Sequence, residues 1–152
     1  METINIRVNA EEAEALKRQH IKHELLDYRY YLSKADWLGE KIALLDFKLD
    51  GGVGSAPMGT MGSNTVKGDW IVAAISEQDE LTKEKELVDA HIKTVESWLG
   101  ILTEEQYEAV YCYIIVHNCK DVEECARLLK MKNSKALLRL IERSIAEISQ
   151  NI

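Results

Sequence analysis

Along the first hundred residues apolar side chains return every three or four positions, the beat of a helix with one buried face. Ile21, Leu25, Tyr28, Leu32, Ala35, Ile42, Leu45 and Leu49 form one such row, missing a beat near Gly39. Ala74, Leu81, Val88 and Val95 form a second row at steps of seven, widened by Ile92 and Leu99. Asn9, with Glu12 three residues on, is placed to cap the first helix, Asp69 to cap the second, and Gly100 to end it. Residues 50–68 between them hold six of the eight glycines and the only proline, so this stretch is expected to be a loop. Two helices so joined bury their stripes most simply as a long antiparallel hairpin; pairing between chains is the competing arrangement. Ahead of them, alternation from Thr3 to Val8 allows a short strand or an ordered arm.

The last third has a different texture. Thr103 and Gln106 make a capping box for a helix through Tyr107, Val110, Tyr111, Ile114 and Ile115, which has the pattern of a buried element. His117, Asn118 and Cys119 interrupt it. Asp121 is placed to cap a short helix reaching about Leu129, with Cys125, Ala126 and Leu129 inward, and the small Ala126 lets a second helix cross closely. After a turn around Lys130 to Asn133, Asn133 or Ser134 caps a last helix whose apolar face is Leu137, Leu140, Ile141, Ser144, Ile145 and Ile148. The expected chain is therefore all-α: a helical hairpin over residues 1–100 with its Gly-rich loop at 50–68, then a helix-turn-helix domain over 101–152.

The other face of the last helix carries the candidate chemistry. Lys135, Arg139 and Arg143 follow one another at steps of four, a basic ridge, and Lys132, Asn133 and Ser134 stand at its N-terminal end. Backbone N–H groups and polar side chains there can meet phosphates and base edges in a major groove of double-stranded DNA. The plainer alternative is a solvated face that keeps the helix soluble.

Net charge modifies this picture. The chain of 152 residues carries −7, which by itself opposes binding to phosphates. From Asp121 on, however, six basic side chains face five acidic ones, so the excess of acid belongs to the first 120 residues. The length fits one domain, or a small domain with a helical appendage. No signal segment and no run approaching roughly 18 apolar residues is visible, so a cytoplasmic protein that neither crosses nor enters a membrane is expected. Three cysteines, Cys112, Cys119 and Cys125, lack a disulfide-scaffold pattern and fit free thiols in a reducing compartment.

The stretches Leu102-Thr103-Glu104-Glu105-Gln106, Glu124-Cys125-Ala126-Arg127-Leu128-Leu129 and Ile141-Glu142-Arg143-Ser144-Ile145 resemble region 4 of bacterial sigma factors. The layout from about Ala10 to Ile148 is similar to the ArpU and RinA type of phage and prophage late-gene transcriptional regulators of Gram-positive bacteria: two long helices, a Gly- and Ser-rich loop and a terminal sigma-like helix-turn-helix. That resemblance implies a DNA-binding transcription regulator in a bacterial host cell, with the N-terminal helices serving self-association or contact with RNA polymerase. Lys130 stands where the family's turn often has Gly or Asn, the turn is one residue longer, and Ser144 replaces the usual Ala. A longer turn rotates the last helix, which bears on which residues reach bases.

Other constellations were weighed. Cys112, His117, Cys119 and Cys125, with His91 elsewhere, lack a Cys-x-x-Cys knuckle, and Cys125 faces inward, so buried thiols are expected in place of a metal. No orienting group or oxyanion-hole signature accompanies a Cys–His pair, and no enzyme is expected. Gly51-Gly52-Val53-Gly54-Ser55 lacks the Lys-Ser/Thr end of a P-loop, and no cofactor is expected; Pro57, Met58 and Met61 make partner docking the alternative use of that loop. His20 and His23 fit a helix surface, and Trp37, Trp70 and Trp98 fit packing anchors between helices. A small domain with little positive charge gains affinity when two copies are linked, so a homo-oligomer, a dimer first, is expected. Two other functions compete: a small terminase subunit for DNA packaging, and a protein-binding module aimed at a host protein such as RNA polymerase.

Overall fold

A computed structural model describes the backbone of residues 2–51 and 64–152 and the side chains of residues 9–51 and 69–152. Among the described residues every regular element is helical and no strand occurs, as the periodicity required. The elements are α1 (Glu2–Leu26), α2 (Tyr28–Leu49), α3 (Asn64–Ile101), α4 (Glu104–Val110) continuing into a π-helical turn (Tyr111–Val116), α5 (Val122–Leu128) and α6 (Ser134–Gln150). No helix among them is long and apolar enough to cross a membrane.

Three boundaries differ from expectation. The alternating Thr3–Val8 segment is helical and continuous with α1, so Asn9 lies inside the helix and does not cap it. A lone short strand has no neighbour to pair with in an all-helical chain, whereas a helix satisfies its own N–H and C=O groups. Likewise α3 begins at Asn64, ahead of Asp69, and takes in Gly68, a residue that costs about 1 kcal/mol in a helix and does not forbid one. The first long helix is also interrupted once, at Asp27, where the backbone still donates to His23 O at 3.0 Å. Residues 52–63, with Pro57, Met58 and Met61, lie outside the described residues.

The chain divides into two compact units, residues 1–29 with 92–152, and residues 30–91. The expected boundary at residue 100 is therefore displaced. Ile21, Leu25 and Tyr28 from the first long stretch and Val95, Trp98 and Leu99 from the end of α3 share one core with Ala109, Val110, Ile114, Ile115, Cys125, Ala126 and the apolar face of α6. α1 packs against α6, and Ser149 Oγ donates to Glu14 Oε1 at 2.7 Å across that contact. This bond and the nearby Arg18 hold the Glu14 carboxyl below its ordinary range.

In the second unit the start of α2 meets the later part of α3 and the end of α2 meets its earlier part. Tyr31 stacks on His91, Lys34 pairs with Glu84 at 3.1 Å, Gly39 faces the Lys85 side chain, and Asp46 accepts from Gln78. Ala74 and Val88 are buried as the step of seven requires, with Leu81 half-buried. On α2, Leu38 takes the buried position and Leu32 is exposed. Of the three tryptophans, Trp98 is buried and Trp70 half-buried, while Trp37 is 47% exposed with Lys34 and Lys41 over its ring.

Candidate nucleic-acid interface

The candidate surface is built up from α4. Thr103 Oγ1 accepts from Gln106 N at 3.2 Å and Gln106 Oε1 accepts from Thr103 N at 3.0 Å, the reciprocal capping box expected from the sequence. Val110, Ile114 and Ile115 point inward, whereas Tyr107 and Tyr111 stack on each other at the surface. Past the π-turn, Asn118, Cys119 and Asp121 all have positive φ. Asp121 occupies the cap position of α5 in this left-handed form, and its side chain makes no capping bond, contrary to expectation. A capping carboxylate needs an extended backbone, which a φ of 57° denies it. The Asp121 carbonyl closes the first turn of α5 by accepting from Cys125 N at 3.0 Å.

On α5, Cys125 and Ala126 are buried and Leu129 is half-buried just beyond it, as the pattern placed them. The end of α5 is a Schellman turn: Met131 N donates to Ala126 O at 2.9 Å and Lys130 N to Arg127 O at 3.1 Å, with Lys130 itself left-handed at φ 57°. Asn133 is extended, and its Oδ1 accepts from Ala136 N at 2.8 Å, so of the two candidates Asn133 caps α6. Leu137, Leu140, Ile141, Ser144, Ile145 and Ile148 are all buried, and the Ser144 hydroxyl is satisfied by donating to Leu140 O at 2.7 Å.

The remaining face of α6 holds the sequence candidates together. Lys135, Arg139 and Arg143 are exposed on consecutive turns, and Lys132 and Asn133 are exposed at the N-terminal end, with Ser134 half-buried beside them. None of Lys132, Lys135, Arg139 and Arg143 forms an ion pair among the described residues. Elsewhere cations are engaged: Arg127 pairs with Glu124 at 2.6 Å, Arg18 with Glu14 at 3.1 Å and Lys85 with Asp89 at 2.8 Å.

Two features of this surface were not legible beforehand. A groove between α1 and α6, lined by Arg18, Gln19, Lys22, Glu142 and Ile145, brings Lys22 to the edge of the same unit. No local pattern announces a contact between residues so far apart in the chain. The exposed side of α5 carries Asp121, Glu123 and Glu124, so the ridge on α6 has an acidic shoulder.

A second cluster lies behind α5. Cys112, His117 and Cys125 bring one ligand atom each to within 4.8 Å of one another. His117 Nδ1 donates to Cys112 O at 2.8 Å and stands 3.8 Å from Cys112 Sγ. The Cys125 thiol is pushed up to about 12 by burial first and by the neighbouring Cys112 second, and burial also raises Cys119. Cys119 stands outside this group; its carbonyl accepts from Tyr113 Oη at 3.1 Å. No protein-family model, curated protein or solved structure matches the chain.

Proposed function

We propose that the protein is a DNA-binding transcription regulator whose α6 enters the major groove, with Lys132, Lys135, Arg139 and Arg143 meeting phosphates and bases and Asn133 and Ser134 fixing the helix end at the backbone. One observation carries this reading. Lys135, Arg139 and Arg143 are exposed one turn apart on the face of α6 opposite its core, Lys132 is exposed just ahead of the helix, and none of the four is neutralised by an ion pair among the described residues. Unpaired cations release counterions when they meet phosphates, whereas a cation already held by a carboxylate gains less. The capped start of α6 directs backbone N–H groups toward the same side. The resemblance to sigma factor region 4, and to phage late-gene regulators of the ArpU and RinA type, supports the same assignment.

Self-association supplies what one small site lacks. Tyr30, Trp37 and Leu44 are exposed at steps of seven on α2, with Phe47 also exposed beyond them. That spacing is the one a second helix packs against, so a second copy of the chain is the occupant it fits, and two linked ridges bind one duplex with raised effective concentration.

The acidic shoulder of α5 favours one competing reading, a module that docks on a basic surface of another protein. The test is selection of fragments from phage and host genomes by the purified chain across a salt series, wild type beside Lys135→Ala/Arg139→Ala/Arg143→Ala. Loss of about 1 kcal/mol or more per cation lowers affinity roughly 100-fold in the variant and flattens the salt slope by about three. Arg127→Ala, whose partner is Glu124, changes binding little. Folded protein that recovers no DNA at low salt sinks the assignment and favours the protein-docking module.

A further inference from the structure

We propose that Cys112, His117 and Cys125 form a binding site for a soft divalent metal ion, with Zn²⁺ the ion it fits best, clamping the π-turn to α5. Their ligand atoms lie within 4.8 Å of one another, and the Sγ of Cys112 is 3.8 Å from Nδ1 of His117. Tetrahedral zinc, with bonds of roughly 2.0–2.3 Å, holds its ligand atoms roughly 3.3–3.8 Å apart, so the longest edge has to shorten by about 1 Å. Two thiols and an imidazole are a soft donor set; no carboxylate belongs to the group, which disfavours calcium and magnesium.

The backbone explains how residues without a knuckle motif converge. In the π-turn His117 N donates to Cys112 O at 3.1 Å, a span of five residues, so the ring folds back against Cys112 and donates to the same carbonyl. Asn118, Cys119 and Asp121 then adopt φ of 55°, 61° and 57°; asparagine and aspartate tolerate this left-handed region, whereas a cysteine rarely takes it. Together they reverse the chain so that α5 delivers Cys125, fully buried, beside Cys112. The strain at Cys119 lies between His117 and Cys125, and such strain persists where the surroundings hold a particular geometry.

On binding, Cys112 and Cys125 each release a thiol proton to solvent. The Nδ1 proton of His117 passes by way of solvent to Nε2, so that the still neutral imidazole turns its Nδ1 lone pair from the carbonyl to the ion. Cys112 and His117 are half-exposed, so a water completes the fourth position. The ion thereby fixes α5, the helix on which α6 rests. The site is independent of DNA binding and is tested without DNA.

The experiment titrates the full-length, reduced, chelator-treated protein with Co²⁺. One equivalent per chain is expected to give a thiolate-to-cobalt charge-transfer band and the visible bands of a tetrahedral site, both removed by Zn²⁺. Cys112→Ser, His117→Ala and Cys125→Ser each abolish or strongly weaken these bands, and Cys119→Ser keeps them. Zn²⁺ raises the melting temperature of wild type and Cys119→Ser and leaves Cys112→Ser unchanged. If Cys125→Ser does not fold, the half-exposed Cys112 and His117 variants carry the test, with circular dichroism confirming their fold. Absence of a thiolate–cobalt band in folded, reduced wild type overturns the proposal, as does a band that survives in Cys112→Ser and His117→Ala.

Discussion

The two compact units solve the same packing problem to different degrees. In the unit of residues 1–29 and 92–152, helices from both ends of the chain converge, and seventeen buried side chains form one apolar cluster. Among the described side chains of residues 30–91, only the apolar residues Leu38, Ala74 and Val88 are buried. Tyr30, Leu32, Trp37, Leu44, Phe47, Val72, Ile75 and Leu87 remain between 38% and 67% exposed. A helix pair can hide only the stripe where its members meet; further apolar surface is covered by another element or stays wet. What separates the units is the enclosed core and not the exposed apolar surface: Leu16, Leu128 and Ile152 of the first unit are also exposed, but its helices close over one large cluster, and the described helices of the second close over very little.

The sharpest way to break this comparison is to remove a core methyl cluster from one unit and surface side chains from the other. Ile148 is fully buried, and Ile148→Ala leaves a cavity costing about 3 kcal/mol, read as a lowered midpoint in urea. Trp37→Ala with Leu44→Ala, at positions 47% and 49% exposed, costs the chain less than about 1 kcal/mol at concentrations where it is monomeric. On the proposed pairing of two α2 rows, the same pair is expected to shift the sedimenting mass from dimer to monomer. Equal destabilisation by the two variants, with unchanged mass in the second, would remove both the contrast between the units and the role given to the α2 row.

How far this was legible in the sequence follows the same division. Short-range periodicity placed the face of α6 residue by residue, the Thr103–Gln106 box and the inward Cys125 and Ala126, because each depends on neighbours three or four positions away. It did not place α1 against α6, since Glu14 and Ser149 are brought together only by the folded chain. The row on α2 misassigned Leu32 for a related reason: Leu38 and Leu32 both fit a helical beat, and the partner helix decides which is covered. The ridge was visible as a spacing of charges, but its freedom from ion pairs depends on where acids such as Glu124 point. Cys112, His117 and Cys125 stood out in the sequence together with Cys119 and His91, but their convergence without Cys119 was not legible, because it works only through a π-turn and a left-handed reversal that composition does not announce.

A smaller effect probes the seam inside the first unit. Tyr28 is 8% exposed, and its hydroxyl donates to Glu96 Oε2 at 3.1 Å. Burial first, then Glu96, and more weakly Tyr111 and Tyr107, push its ionisation from 10.0 up to about 12. Because the folded state holds this proton longer than the unfolded one, the arrangement contributes fully below pH 10 and is lost as the pH rises toward 12. The loss is on the order of 1–2 kcal/mol. Denaturation midpoints measured between those limits fall in wild type, and Tyr28→Phe flattens the fall in part. Part of the slope remains in the variant because burial also raises Tyr113. An unchanged slope in Tyr28→Phe would mean that this contact does not hold the seam.

The smallest effect concerns the turn between α5 and α6, and its sign is opposite. Lys130 is left-handed at φ 57°, the position of a Schellman turn where a residue without Cβ is at ease. The left-handed backbone costs a lysine about 1–2 kcal/mol, and the extra freedom of glycine in the unfolded chain returns part of that. Lys130→Gly is therefore expected to stabilise the unit by about 0.5–1 kcal/mol, seen as a modest rise in the urea midpoint with the slope unchanged. Asn118, also at positive φ, stands beside His117 and acts as the contrast. Asparagine tolerates the left-handed region better than lysine, so Asn118→Gly gains less. A gain at Lys130 with no loss of DNA recovery would also separate the two uses of its cation: Lys130 would serve the turn, and the ridge of Lys135, Arg139 and Arg143 would stand as the contact surface on its own. A loss of stability in Lys130→Gly would instead mean that the lysine side chain holds the turn more strongly than its backbone strains it.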